Sequence, residues 1–392
     1  MKTKTLKIAI YSGKIPSTTF IERLIVGLSE QKHCIYLYGL LNFKPNYPNL
    51  VSIRGYNSKF SKLYTLVKYT FLLTVFKKGD KKKLDAILKS QSRYKLYNRV
   101  KYYPVLWDKP DIFHLQWAKG INEWIWVREF GIKFIVSLRG AHINYSPLAN
   151  NKLAETYKLL FPKVDHFHAV SKAIAEEAEK YGANAKKIDV IYSGLDVVSS
   201  TSKHSETSYS NIKLISVGRS HWKKGYQYAL DACKLLKDEG LHFTYTIVGV
   251  LKDVELLYQI EDLGLQSNVN LIGPIDYSEV EDYISKADVL ILPSVEEGIA
   301  NVVLEAMASD TLVITTDCGG MPEVIADNQN GFIVPVRNPE AIALAVKQII
   351  KLSNTDLEII KKAAKRTIVS QHSKQTMING MVDMYNSTLI KL

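Results

Sequence analysis

Two glutamates, Glu297 and Glu305, stand eight positions apart in the run ADVLILPSVEEGIANVVLEAMASDTLVITTDCGGMPEVI, which ends at Ile325. An apolar, strand-like stretch closes at Pro293, an acidic loop follows, and then a helical pattern. With a helix beginning near Ile299, Glu297 stands at its mouth and Glu305 two turns inside, about 12 Å away at the usual rise per residue. That span suits a nucleotide sugar, one carboxylate on sugar hydroxyls and the other on a ribose diol. The chain between them, Gly298, Ile299, Ala300 and Asn301, would offer free amides and a positive dipole end to a pyrophosphate. Taken alone, the same glutamates also read as ordinary helix-end residues.

A second candidate is the loop Ser216-Val217-Gly218-Arg219-Ser220-His221-Trp222-Lys223-Lys224-Gly225, in which a strand ends at Gly218 and a cationic turn precedes a helix. A pyrophosphate leaving group gains negative charge as its bond to the sugar breaks. The Arg219 fork and Lys224 ammonium are suited to hold that charge without a metal; otherwise they are surface cations of a loop.

Together the two segments resemble glycosyltransferases of family 4, the GT-B enzymes with an EX7E segment. Glu297-Gly298, Leu304-Glu305-Ala306-Met307-Ala308 and Gly319-Gly320-Met321-Pro322-Glu323 carry the resemblance, with the Gly-Arg…Lys-Gly pattern around Arg219 and Lys224. Two positions depart from it. Ala300 stands where proline or glycine is usual, and Asp310 where glycine is usual, which calls for a special backbone geometry there. The resemblance is looser in the first half. Lys14 to Ile21 looks like the "P-S-x-x-x-T-F-I" opening of exopolysaccharide-building members, and Gly13 before it permits close approach of the backbone to a donor. Arg139 replaces the histidine of a strand-end "HG" motif, with His142 three residues on, and either side chain is a candidate to touch the transferred sugar or a phosphate. His114 and Glu123 read as packing and surface residues.

The elements that must position these residues alternate between short apolar runs and helical patterns, the signature of parallel α/β architecture. The first half offers strands at Leu6–Tyr11, Cys34–Tyr38, Ile112–Leu115, Phe134–Leu138 and His166–Val170. The second offers Lys213–Val217, Thr244–Val248, Asn270–Ile272, Val289–Leu292, Leu312–Thr315 and Phe332–Val334. The pattern gives α/β architecture in two Rossmann-like domains, and the resemblance implies that these form a GT-B fold, facing each other across a cleft. By the resemblance the first domain, 1–197, would bind acceptor, and a polar Ser/Thr-rich linker is read over 198–211. The nucleotide-sugar domain is expected over 212–370, and the resemblance implies that a terminal helix, 371–392, packs back on the first domain. The 392 residues suit two cores.

Charge is unevenly placed. Residues 1–195 hold 33 Lys and Arg against 14 acids, leaving 18 against 25 for the rest of a chain whose net charge is +12. Within 59–103 the segment 59–101 alone carries 13 basic and two acidic residues, interleaved with Tyr64, Tyr69, Phe71, Phe76, Tyr94 and Tyr97. That composition suits a helix lying on an anionic membrane, or a helical insertion whose apolar face packs on its own domain. No nucleic-acid module accompanies it. The apolar run Leu63–Phe76 contains Lys68 and is too short for a membrane span, and no signal segment opens the chain. Three scattered cysteines fit a reducing compartment. The location expected is cytoplasmic, with peripheral attachment to the inner face of the membrane.

The resemblance implies a retaining glycosyltransferase acting in cell-surface polysaccharide synthesis, without cofactor or metal. It implies a UDP- or GDP-sugar as donor and a glycan or lipid-linked acceptor. Glu297 would position the sugar and Glu305 the ribose, while Arg219 and Lys224 would hold the leaving phosphate. The rival readings are a non-catalytic protein that binds nucleotide sugar or membrane, and another GT-B enzyme such as a nucleotide-sugar epimerase.

Overall fold

A computed structural model of the chain describes residues 5–196 and 211–390. The linker expected at 198–211 lies outside the described residues except for Asn211. Two compact units emerge, one of Met1–Val170, Ile174–Gly194 and Lys374–Leu392, the other of Ser171–Ala173 and Leu195–Ser373.

In the first unit seven strands form one parallel sheet: β1 (Lys7–Ile15), β2 (Cys34–Leu41), β3 (Val51–Tyr56), β4 (Ile112–Leu115), β5 (Lys133–Leu138), β6 (His166–Ala169) and β7 (Ile188–Val190). Their order is β3-β2-β1-β4-β5-β6-β7, so the direction of winding reverses between β1 and β4. The second unit repeats the scheme with β8 (Ile212–Val217), β9 (Phe243–Val248), β10 (Val269–Ile272), β11 (Val289–Leu292), β12 (Leu312–Thr316) and β13 (Phe332–Val334). Its order is β10-β9-β8-β11-β12-β13, reversing between β8 and β11. In an open parallel sheet such a reversal leaves a crevice beyond the carboxyl ends of the strands. Central strands such as Val289–Leu292 are buried along their whole length, which is why they read as unbroken apolar runs. The two strands missing from the sequence reading are β3 and β7, both at sheet edges. There half-exposed residues dilute the pattern, and β7 has only three.

The helix Thr19–Glu30 starts at Thr18 without a side-chain cap; instead the Glu22 carboxylate accepts the Ser17 N–H at 2.6 Å. Within the first unit this helix meets the terminal helix Lys374–Leu389, and Gly27 is the contact point. A Cβ there would lie 2.5 Å from Ile378. The terminal helix begins three residues later than expected, after His372 and Ser373. On the other face an aromatic cluster fills the core, with Trp124 4.5 Å from both the Tyr11 and Phe113 rings and 5.1 Å from Tyr102.

Between these layers runs a chain of buried hydrogen bonds. The Ile191 carbonyl can only accept, so His168 Nε2 carries a proton toward it at 2.9 Å. Neutral His168 then accepts at Nδ1 from the Ser137 hydroxyl at 2.8 Å. Ser137 Oγ in turn accepts from His114 Nε2 at 2.8 Å, which leaves His114 Nδ1 to accept from the Tyr385 hydroxyl at 2.7 Å. One carbonyl thus fixes the tautomer of both imidazoles. Glu123, expected at the surface, pairs with Lys101 at 2.7 Å and accepts from Tyr102 at 3.2 Å.

Segment 59–103 forms helices Lys59–Phe76, Lys78–Ser90 and most of Leu96–Asp108. Tyr69 and Leu73 of the first are buried against the domain, while its opposite side stays exposed. Asp310 takes the left-handed conformation expected from its place in the motif, with φ 58°, and pairs with Lys365 at 3.3 Å.

Desolvation, then repulsion from Arg139, holds the His168 pKa down to about 3 against an ordinary 6.5; desolvation, then His168 and Arg139, holds His114 well below it. Above pH 6.5 folded and unfolded chains are equally unprotonated at these rings. As pH falls below 6.5 only the unfolded chain takes up the protons, for His168 down to about 3, and each ring lowers stability by about 1.4 kcal/mol per pH unit. Denaturant titrations at pH 7.5 and 5.5 should show this loss. Ser137→Ala, which strands a donor and an acceptor, should cost about 1–3 kcal/mol at pH 7.5.

Candidate functional site

The second unit gathers its candidate residues beyond the carboxyl ends of β8, β9, β11 and β12. Gly218 and Arg219 follow β8, and Gly249 follows β9. The backbones at these ends lie so close that a Cβ on Gly249 would be 2.6 Å from the Gly218 carbonyl oxygen. The turn Trp222–Lys224 ends at Gly225 with φ 66°, where a Cβ would meet the Pro293 carbonyl oxygen at 2.0 Å. The Val295 N–H donates to the Lys223 carbonyl at 2.7 Å, so the cationic turn is joined to the loop after β11. On the far side of that loop stand Gly319 and Gly320. A Cβ on either would lie 1.8 Å from the Glu297 carbonyl oxygen or 2.1 Å from that of Gly298, respectively. The GGxPE motif is therefore a steric requirement of the loop that carries Glu297. Its glutamate, Glu323, accepts from the amides of Lys172 at 2.8 Å and Ala173 at 3.0 Å.

Glu297 is 8% exposed. Lys224 donates to Oε1 at 2.8 Å, Lys223 to Oε2 at 3.2 Å and Ser294 Oγ to Oε1 at 3.3 Å. Burial by itself raises the pKa of this carboxyl. The charges of Lys224 and Lys223, with the hydrogen bonds each makes, outweigh it and hold the group below its ordinary 4.5. Two cations share one carboxylate, so the trio has a surplus of one positive charge. Arg219 adds another at the exposed edge of the loop.

The helix expected near Ile299 starts at Asn301, because Ala300 holds an extended conformation, φ −81° and ψ 114°. Glu297 consequently sits in the preceding loop rather than at the helix mouth. Ala300 is the N-cap and has no side chain to satisfy the first amides of Asn301–Ala308. The departure from proline or glycine at this position leaves those donors as available as before. Glu305 lies within that helix, its Oε1 accepting from the Tyr277 hydroxyl at 2.7 Å.

Gly13, Arg139 and His142 belong to the first unit. Gly13 has φ 92°, and beyond its chain neighbours no described atom lies within 4 Å of where its Cβ would be. Arg139 follows β5, stacks over the Phe20 ring at 4.4 Å and donates through Nη2 to Gln116 Oε1 at 3.1 Å. His142 lies 5.1 Å from the Trp117 ring; desolvation, then Lys119 and Arg139, lowers its pKa to about 4. Lys223, Ser294, Tyr277 and Gln116 were not singled out by the sequence. Lys223 had a signal, its place beside Lys224; the others become visible only through the carboxylates and cation they touch. Among the described residues no group of three or more His, Cys, Asp or Glu is arranged to hold a metal ion.

Comparison with known proteins gives two adjoining family matches. Residues 74–198 match the model described as Glycosyltransferase Family 4, and residues 200–366 the model described as Glycosyl transferases group 1. The chain is 29% identical over 266 residues to the putative colanic acid biosynthesis glycosyltransferase WcaL of Escherichia coli K12, spanning 64% of each protein. It thus covers just under two thirds of that relative's length. Among solved structures, a glycosyltransferase from Rickettsia africae superposes with a TM-score of 0.72 at 18% identity, covering 99% of this chain and all of the other. Anabaena Alr3699/HepE, solved in complex with UDP-glucose, gives 0.68 at 16% identity, covering 97% of this chain and all of that one. At these identities the likeness shows a shared fold.

Replacing Lys223 and Lys224 together by methionine leaves the Glu297 carboxyl with its desolvation and without its cations. Its pKa should then rise above 4.5, read by 13C NMR of the labelled carboxyl, and stability at pH 7 should fall by about 3–5 kcal/mol.

Proposed function

We propose that this chain, which belongs to the glycosyl transferases group 1 family and has the GT-B fold, moves a sugar with retention from a UDP- or GDP-sugar onto a glycan or lipid-linked acceptor in cell-surface polysaccharide synthesis. The observation that carries this reading is the cationic trio of Glu297, Lys223 and Lys224 beside the uncapped start of the helix Asn301–Ala308.

In this reading the donor pyrophosphate lies on the helix's first amides, with Arg219 and Lys224 on its oxygens. Glu297, kept ionised by its lysines, accepts from sugar hydroxyls. Glu305, oriented by Tyr277, accepts from the ribose diol. The bond between the anomeric carbon and the leaving phosphate oxygen breaks as the acceptor hydroxyl oxygen bonds the same face of that carbon. The acceptor proton passes to the departing phosphate, and the cations hold the charge that develops there. The charge-stabilising groups are side chains and amides, which supports turnover without a metal.

We also place the enzyme peripherally on an anionic, cytoplasmic membrane face. Phe60, Leu63, Tyr64, Val67, Phe71 and Val75 recur every three or four residues on one exposed face of the helix Lys59–Phe76, with Phe60 86% exposed. Lys59 and Lys68 flank this stripe, Lys68 over the Tyr64 ring at 5.8 Å, and the helix contains no acid. An apolar face edged only with cations fits an anionic bilayer surface. Among the described residues no helix is long and apolar enough to cross a membrane.

A UDP- or GDP-sugar at 100 times its Kd should stabilise the protein by about 2.7 kcal/mol. Glu305→Gln should remove most of that shift, and Tyr277→Phe should raise the donor KM with kcat nearly unchanged. Transfer should continue in EDTA, with an α-linked product from an α-donor. Absence of a shift with any nucleotide overturns the donor site; a shift without turnover on any glycan or lipid acceptor leaves the binding-protein reading.

Co-sedimentation should recover the protein with phosphatidylglycerol vesicles and not with phosphatidylcholine. Phe60→Ser with Phe71→Ser should weaken that partition about tenfold or more, a difference of about 1.4 kcal/mol. A substitution that alters self-association and leaves partition unchanged would assign the stripe to a protein contact instead.

A further inference from the structure

Three polar groups at the carboxyl ends of β4 and β5 lack partners. Arg139 Nε, Gln116 Nε2 and His142 Nδ1 are buried atoms with no hydrogen bond among the described residues. They form one cluster. Arg139 donates to Gln116 at 3.1 Å, the His142 backbone N–H donates to the Arg139 carbonyl at 3.2 Å, and the Arg139 charge acts on the His142 ring. The Gln116 amide cannot turn to satisfy itself, because that would set its NH2 against the guanidinium.

The cluster is also short of negative charge. Arg139 has no carboxylate within ion-pair reach among the described residues, although other arginines of this unit do, such as Arg54 with Asp108 at 3.1 Å and Arg128 with Asp165 at 2.9 Å. Around it are the neutral rings of His114 and His168, the Tyr385 hydroxyl and the Phe20 face. A desolvated guanidinium without a counter-ion is costly. Beyond their own chain neighbours, no described atom lies within 4 Å of a Cβ built on Gly13 or on Gly140, the residue after Arg139. The Gln116 N–H donates to the Tyr11 carbonyl at 3.0 Å, which brings the end of β1 alongside.

We propose that Arg139, Gln116 and His142 form an oxyanion-recognition site on the first unit, specific for an acceptor bearing a phosphate or a carboxylate. Assignment of the anion to the acceptor rests on the glycosyltransferase reading, in which the second unit's own cations hold the donor phosphates. The anion takes the fork of Arg139, completed by the free Gln116 N–H and by whichever proton His142 presents at Nδ1. Recognition is ionic and directional, so uncharged sugars are discriminated against.

The test is thermal stabilisation of the full chain by inorganic pyrophosphate, by D-glucuronate and by D-glucose, at low and high salt. One anion should stabilise it in a salt-sensitive manner, pyrophosphate pointing to a phosphate-bearing acceptor and glucuronate to an acidic glycan; glucose should not. Pyrophosphate also fits the second unit, so the site is read as the part of the response lost in Arg139→Gln. Its apparent Kd there should rise about tenfold or more, with Arg139→Lys restoring part of it and the UDP shift unchanged. Should Arg139→Gln fail to fold, Gln116→Met carries the same comparison. The proposal is overturned if neither anion stabilises the protein, if glucose matches them, or if Arg139→Gln responds like the unmodified chain. Loss of the UDP shift alone would count against the donor site and leave this one standing.

Discussion

A buried carboxylate needs cations of its own, and in the second unit that need organises the candidate site. Glu297 can stay ionised at 8% exposure only because Lys223 and Lys224 reach it from the turn after β8. The loop that delivers Glu297 can pass there only because Gly225, Gly319 and Gly320 present bare backbone to it. Electrostatics and steric exclusion are thus one constraint. The lysines define where the carboxylate must be, and the glycines define the path by which it arrives.

The first unit is held by a different device. Its sheet buries two imidazoles, and the Ile191 carbonyl decides how both are protonated. The last link is Tyr385 on the terminal helix, so that helix is fastened to the sheet interior by direction-specific hydrogen bonds as well as by apolar packing at Gly27 and Ile378. Neutral rings keep this core free of net charge. Arg139, at the rim of the same strands, is the exception, a cation with polar neighbours and no acid among the described residues.

The helix Lys59–Phe76 shows how one sequence pattern served both readings of the basic, aromatic segment. Tyr69 and Leu73 pack inward, while Phe60, Tyr64 and Phe71 face outward. An apolar circumference too wide for one partner leaves a face over, with lysines beside it.

Much was legible before any coordinates. Buried parallel strands such as Val289–Leu292 announce themselves as apolar runs, and Asp310 announced its φ of 58° by standing where a glycine belongs. The spacing of Glu297 and Glu305, with the Arg219 and Lys224 turn, marked the candidate site because residue type and interval are properties of the chain itself. Edge strands β3 and β7 escaped notice because their environment is half solvent, which erases periodicity. That Lys223 grips Glu297 from 74 positions away, that Tyr277 orients Glu305, and that Arg139 lacks an acid among the described residues are decided only by folding. Such contacts join side chains remote in sequence, so no local pattern encodes them and only the packed sheet, by fixing which strand ends are neighbours, brings them about.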